Sequence, residues 1–119
     1  ASEYDPQYFH TDPLRAKDSF FQGLAASGWH TAAVSMKLLV ESFPLAEGVI
    51  GGGMGELAWP QATRPGDVLH VEVEVLEIIP SRSKPNRAMV KYRNETKNQR
   101  GEIVQIAVPL GVVHKRPQA

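Results

Sequence analysis

The sequence predicts an α+β domain in which one long helix lies against an antiparallel sheet. Three observations point there. First, Gly28 to Phe43, GWHTAAVSMKLLVESF, is the one long run with a helical period. Trp29, Ala32, Ala33, Met36, Leu39, Val40 and Phe43 fall at steps of three and four and share an apolar stripe, while His30, Lys37 and Glu41 lie on another face. Val34 and Leu38 sit off the stripe, which predicts cover on more than one side. Second, everything after Pro44 alternates with the period of strands. Third, a helix this apolar needs a large partner surface, and the β-rich segment is the only candidate in the chain.

Taken in order, Ala1-Ser2-Glu3-Tyr4 reads as the last turn of a helix, broken at Asp5-Pro6 because a residue before proline is pushed out of the α region. Gln7-Tyr8-Phe9-His10-Thr11 reads as a polar-aromatic link. Asp12-Pro13 is an N-cap with proline at the first helical position, opening a short helix to about Ser19 that Phe20-Phe21-Gln22-Gly23 ends. Ser27 is the natural N-cap of the long helix.

Gly48 to Trp59 carries four glycines between Gly51 and Gly55 and reads as a strand with close backbone approach. Arg64-Pro65-Gly66-Asp67 has proline and glycine where a type II turn wants them. Leu69, Val71, Val73 and Val75 then alternate with His70, Glu72 and Glu74, and the slip at Leu76 before Ile78 predicts a bulge. Pro80 to Arg87 reads as a loop. Ala88, Val90 and Tyr92 face one way and Met89, Lys91, Arg93, Glu95 and Lys97 the other, with Gln99-Arg100-Gly101 turning the hairpin. The last strand puts Val104, Ile106, Val108, Leu110 and Val112 on one face, and Pro109, lacking an N–H, predicts an edge or a bulge there.

At 119 residues the chain is long enough for one domain, residues 1–119. Its 13 basic and 13 acidic residues balance, so no long-range field favours nucleic acid. The absence of cysteine excludes disulfides, a thiol nucleophile and cysteine-ligated metal, and fits a reducing compartment. With no basic-then-apolar leader and no run of about 18 apolar residues, a soluble cytoplasmic protein without a membrane partner is expected.

Gly53-Met54-Gly55-Glu56-Leu57-Ala58 matches the dinucleotide fingerprint G-x-G-x-x-A, but Trp59-Pro60 follows at once and no helix can open there to meet a phosphate. No P-loop is present. His10, His30, His70 and His114 are scattered, so no metal is expected; His70 reads as a surface strand residue, His114 as part of a solvated basic tail, and His30 as a polar-face residue. Asp5 and His10 form a D-x-x-x-x-H pair. On spacing alone they are a turn carboxylate and a loop histidine. Their setting among Tyr4, Tyr8 and Phe9, in a segment that must pass close to the main helix, raises the other reading. A carboxylate and an imidazole brought together under partial burial can activate a water.

The stretches DPQYFHTDP and FFQGLAASGWHTAA, the glycine-bearing strand ending LAW, and RPGD before a strand resemble the MaoC-like hydratase/dehydratase family. These are hotdog-fold proteins related to (R)-specific enoyl-CoA hydratases, and the similarity runs through nearly the whole chain. The resemblance implies a central helix wrapped by an antiparallel sheet, Asp5 and His10 as the catalytic pair, and the Gly28 backbone amide as donor at the helix start. It implies hydration of trans-2-enoyl thioesters, on CoA or an acyl carrier, to (R)-3-hydroxyacyl thioesters, with no metal or redox cofactor. Gln7, Tyr8, Phe9, Ser27 and Trp29 are then candidate substrate contacts. Arg82, Lys84 and Arg87 are candidates for the phosphates of CoA or phosphopantetheine, against the alternative of a solvated hairpin loop. A homodimer or higher homo-oligomer is the expected assembly.

The family's D-x-N-P-x-H is altered here: Gln7 replaces the asparagine, where its amide can still orient the carboxylate, and the proline moves to Pro6. Ser35 falls one residue from a serine of the family's helix. The family's N-terminal strand and helix have no counterpart ahead of Asp5, so an N-terminally incomplete domain is expected. Two other readings stay open on the same fold. A hotdog thioesterase needs a carboxylate near the helix start, and Glu41 is too far along to serve. A non-catalytic acyl-binding or partner subunit needs none.

Overall fold

A computed structural model describes residues 1–42, 50–81 and 87–114. Two single-turn helices, α1 (Tyr8–Thr11) and α2 (Pro13–Ala16), precede the long α3 (Gly28–Ser42), and four strands follow: β1 (Ile50–Ala58), β2 (His70–Pro80), β3 (Arg87–Lys97) and β4 (Ile103–His114). The strands form one antiparallel sheet in the order β1-β4-β3-β2. Phe43, which the helical stripe includes, lies outside the described residues.

Several local signals translate directly into structure. The Asp12 carboxylate accepts from the backbone N–H of Leu14 and Arg15, with Pro13 at the first helical position. Ser27 Oγ accepts from His30 N–H at 3.0 Å and caps α3. Arg64 to Asp67 close a turn through Asp67 N–H to Arg64 O at 3.1 Å, with Gly66 at φ +83, the left-handed position a type II turn requires. The β2–β3 register slips between Val75 and Glu77, so Leu76 is the bulged residue. In β1 the register slips at Gly52 and at Gly55, and a Cβ on either would come within 3.3 Å of a β4 carbonyl oxygen, Leu110 or Val108.

Three expectations need correction. Gln7 to Thr11 is not merely a link, because Tyr8–Thr11 winds into a helical turn that Asp12 N–H closes onto Tyr8 O at 2.8 Å. The apolar stripe of α3 is not its buried face. Trp29, Met36 and Val40 are 66%, 55% and 69% exposed, and Leu39 alone of the described stripe is buried, in a row with Ser27, Thr31 and Ser35, each four residues from the next. Small hydroxylated residues win that face because each oxygen finds a partner. Thr31 Oγ1 donates to Ser27 O or to Thr63 Oγ1. Ser35 Oγ donates to Thr31 O at 2.7 Å and so accepts from Thr96 Oγ1, also at 2.7 Å. A hydroxyl buried without such a partner costs about 1–3 kcal/mol. Beyond this polar half, Leu39 packs with Ala88, Val90, Tyr92, Val113 and Val73.

The third correction concerns β4. Ile106, Val108, Leu110 and Val112 do share a face, but Ile106, Leu110 and Val112 stand opposite Glu95, Lys91 and Met89 on the side away from α3. The helix side of β4 carries Ala107, Gly111 and Val113 opposite Asn94, Val90 and Ala88, because a helix seated on small side chains needs small residues beneath it. Val104 leaves the alternation as the extra residue of a bulge between Gln105 and Ile103. Pro109 lies in a central strand and not at an edge. The missing N–H is absorbed by the Gly55 bulge across from it in β1, and the β3–β4 register passes from Lys91↔Leu110 to Asn94↔Ala107 without a pair between.

Candidate active site

Asp5 leaves a turn in which its N–H donates to Ala1 O at 2.9 Å, and Pro6 then extends the chain into α1. The single turn of α1 carries His10 inward until its side chain is only 7% exposed, against 22% for Asp5. His10 Nδ1 lies 2.7 Å from Ala25 O. A carbonyl only accepts, so Nδ1 carries the proton and Nε2 is left as the basic nitrogen. Nε2 faces Asp5 Oδ2 at 3.4 Å, and the other carboxylate oxygen, Oδ1, accepts from the Gln7 amide at 2.7 Å. The result is an imidazole and a carboxylate, each fixed from behind, close enough at 3.4 Å to pass a proton between them and for one water beside them to bond both.

The imidazole is also held by rings. Phe9 meets it edge-on at 4.6 Å and 89°, and Phe21 lies 5.9 Å away. Tyr8 in turn packs on Phe9 at 5.1 Å, with the Arg15 guanidinium 4.5 Å from the Tyr8 centroid. Ala25 is tied back to the same segment by its N–H to Phe9 O at 3.0 Å, and Ala26 N–H donates to Thr63 O at 2.9 Å. The loop just before Ala25 is gathered by one side chain, Arg64, whose guanidinium donates to Phe21 O at 2.5 Å, Gly23 O at 3.1 Å and Leu24 O at 3.3 Å. Asp67 anchors the turn that carries Arg64. The Arg64 N–H and then the Gln99 amide hold its carboxyl below the usual carboxylate range.

Two cavities meet at His10. The larger, about 380 Å³, is walled by Leu24, Val34, Leu38 and Leu69 with Arg64 and Asp67 at its border. The smaller, about 330 Å³, is walled by Gly28, Phe20, Phe21, Trp59 and Gln61. His10, Ala26, Thr31 and Thr63 line both. Gly28 is the first residue of α3, and among the described residues its N–H has no hydrogen-bond partner. A free amide at the start of a 15-residue helix favours negative charge beside it.

The structure thus brings Asp5 and Gln7 together with His10, and His10 to the cavity that holds Gly28; Asp5 and Gln7 themselves line neither cavity. It does not bring Tyr8, Phe9 or Trp29 to either cavity: the first two are spent packing the imidazole, and Trp29 points outward, edge-to-face with Trp59 at 5.8 Å. Ser27 also lines neither cavity, because its hydroxyl is committed to the helix cap. Arg82 and Lys84 lie outside the described residues, and Arg87, exposed at the start of β3, borders neither cavity. His30 is exposed and borders the larger cavity, and His70 is exposed beside Glu72 at 3.3 Å. Gly53 to Ala58 is strand, as the proline after it demanded. Among the described residues no cluster of three or more potential ligands could hold a metal ion.

Sequence reasoning missed Arg64, Trp59, Thr63 and the leucine wall as site elements. A signal existed for Val34 and Leu38, whose positions off the helical stripe mark a second covered side, the cavity wall. None existed for Arg64, whose partners lie about 40 residues back in sequence.

Comparison with known proteins bears on this geometry. Residues 1–99 match the family model described as MaoC like domain. A crystal structure of the MaoC-like dehydratase from Rhodospirillum rubrum is 58% identical, aligned over 99% of this chain and 81% of its own, with a TM-score of 0.94. The unliganded R-hydratase PhaJ1 of Pseudomonas aeruginosa is 27% identical, over 94% of this chain and 67% of its own, with a TM-score of 0.72. The uncharacterized protein YdeM of Bacillus subtilis (strain 168) is 38% identical over 85 residues, 71% of this chain. The match spans 60% of that curated relative's length.

Proposed function

The chain belongs to the MaoC-like domain family and has the hotdog fold, and we propose that it is an (R)-specific hydratase/dehydratase of trans-2-enoyl thioesters. One observation carries the reading: His10 lines both cavities with its Nε2 facing Asp5 Oδ2 at 3.4 Å, and one of those cavities also holds the Gly28 N–H, which has no partner among the described residues. The likeness to the R-hydratase of P. aeruginosa supports the reaction class.

The order of groups along an enoyl thioester fits the order of the walls. The thioester carbonyl lies against Gly28, the β-carbon at His10, and the acyl tail runs on into the cavity of Leu24, Val34, Leu38 and Leu69. Water bonded to His10 and Asp5 from the cavity side loses a proton to Nε2 as its oxygen bonds to the β-carbon. The π pair moves to the thioester oxygen as an enolate, which the Gly28 N–H stabilises. The proton on Nε2 passes to the facing Asp5 Oδ2, 3.4 Å away, and Asp5 delivers it to the α-carbon, so one water is added and the neutral imidazole and the carboxylate are both regenerated, the pair acting as one unit. A donor placed in advance for such an oxyanion contributes about 3–4 kcal/mol. The sum balances without electron transfer, so no redox cofactor or metal enters the proposal.

The proposal extends to a homodimer or higher homo-oligomer in the cytoplasm, taking its thioester on CoA or on a phosphopantetheine carrier. The exposed Trp29, Met36 and Val40 of α3 and the position of β1 at an edge of the described sheet support association. No described helix is long and apolar enough to cross a membrane.

The test offers crotonyl-CoA and follows enoyl absorbance together with free thiol. Loss of absorbance without thiol, giving the (R)-3-hydroxy product, is the expected result. Thiol release instead identifies a thioesterase, and neither signal identifies a non-catalytic acyl-binding or partner subunit.

A further inference from the structure

We infer that Trp59 is a positioning residue for the Gly28 amide: its indole walls one side of the helix start, and Gln105 holds the ring there. The inference rests on the reading of the Gly28 N–H as donor to the thioester oxygen. Three separate contacts carry it.

The indole follows directly on β1, and its Nε1–H donates to Gln105 Oε1 at 3.0 Å. Gln105 is itself buried on β4, registered opposite Thr96 of β3. An indole has one donor and no acceptor, so this bond consumes its whole polar capacity and sets the rotation of the ring. The ring then lies flush on the start of α3. A Cβ built on Gly28 would fall 2.7–2.8 Å from indole atoms Cε2, Cζ2 and Cδ2, closer than any side chain can approach. Gly28 is not among the residues at positive φ, so the indole, and not the backbone conformation, demands glycine here. Trp29 packs edge-to-face on the same ring, at 5.8 Å and 78°.

The ring also lines the cavity that contains His10 and Gly28, and it stands apart from the apolar cluster of Leu39, Ala88, Val90, Tyr92 and Val113 that holds helix to sheet. Its place is at the site. Two consequences follow. The indole face occupies ground beside the Gly28 N–H that water would otherwise hold, and a hydrogen bond to growing negative charge is stronger where water is excluded. The ring also leaves the carbonyl a single approach, between itself and His10, so it sets how far the β-carbon stands from Nε2.

The test combines kinetics with fluorescence. With crotonyl-CoA, Trp59→Ala lowers kcat on the order of tenfold or more, with a smaller change in KM, as expected when transition-state stabilisation is lost. Trp59→Phe, which keeps a flat wall, recovers most of the rate, and Gln105→Leu, which frees the ring to rotate, falls between. Gly28→Ala is severe in the parent and adds little to Trp59→Ala, since the clash is with the indole. The chain has two tryptophans, so Trp29→Phe leaves Trp59 as sole emitter, and saturating butyryl-CoA, which has no double bond to hydrate, shifts its emission. Equal rates for parent and Trp59→Ala, or equal costs of Gly28→Ala in both backgrounds, overturn this inference alone. So does unchanged Trp59 emission when calorimetry records binding. A parent that hydrates no enoyl thioester overturns the reading of the site and this inference with it.

Discussion

Replacing Arg64 by methionine keeps the length of the side chain and removes the donors that gather the loop before Ala25. Three carbonyls, of Phe21, Gly23 and Leu24, then lose their partner at once. A hydrogen bond from a charged donor is worth about 1.5–3 kcal/mol net when the acceptor is left dry. Here the loop is only partly buried, the bond to Leu24 is long at 3.3 Å, and water can reach the freed oxygens, so the sum is nearer 2–3 kcal/mol than three full bonds. For a domain of this size about 1 kcal/mol moves the melting temperature by about 4 °C, which gives a fall of roughly 8–12 °C.

Activity should fall as well, because the loop leads into Ala25, whose carbonyl fixes the tautomer and direction of His10. A displacement of about 1 Å at a reacting group can cost on the order of a hundredfold, so a loss of about tenfold in kcat from a loosened loop is a moderate expectation. Arg64→Lys is the informative control. Its ammonium keeps the charge but cannot span three carbonyls, so it should recover only a part of both losses. Calorimetric melting and crotonyl-CoA kinetics, run well below either melting point, measure the two effects. Arg64→Met melting within about 2 °C of the parent, or Arg64→Lys indistinguishable from it, would refute the reasoning.

Three further perturbations probe neighbouring parts. Gln7→Ala removes the bond to Asp5 Oδ1 at a solvent-accessible site, so kcat should fall only a few-fold, about 1 kcal/mol, against orders of magnitude for the dyad itself; a loss matching Asp5→Asn would make Gln7 a primary group. Asp67 has a folded pKa depressed below 3.8 by the Arg64 N–H first and by Gln99, so its contribution is present above that value and lost as pH falls through the folded one. Melting followed from pH 5 to about pH 3 should therefore drop less steeply in Asp67→Asn than in the parent, and parallel curves would show that the shift carries no stability. Thr96→Val should cost more than its small change in shape, since Ser35 Oγ loses a buried donor; a melting point unchanged from the parent would mean that the hydroxyl pair contributes nothing.

What was legible in the sequence was mostly local. The cap at Ser27, the turn at Arg64 to Asp67 and the bulge at Leu76 each depend on a few adjacent residues and emerge as expected. The Asp5–His10 pair was visible as types and spacing, but its meeting depends on the α1 turn and on the Ala25 carbonyl, neither of which a pattern reports. The buried face of α3 was misread because hydrophobicity was taken as the guide, whereas Thr31 and Ser35 are buried through hydrogen bonds to Thr63 and Thr96, partners distant in sequence. The same blindness hid the Arg64 clamp. Long-range polar contacts leave no period, and at this site they do most of the positioning.

The most direct test of the central claim is the steady-state hydration of crotonyl-CoA by the parent, Asp5→Asn, His10→Ala and the double variant, each shown to be folded by its melting curve. If the pair works as one unit, each single change lowers kcat by about 10²–10⁴ and the double change costs little beyond the worse single one. Hydration by Asp5→Asn and His10→Ala at the parent's rate would contradict the account.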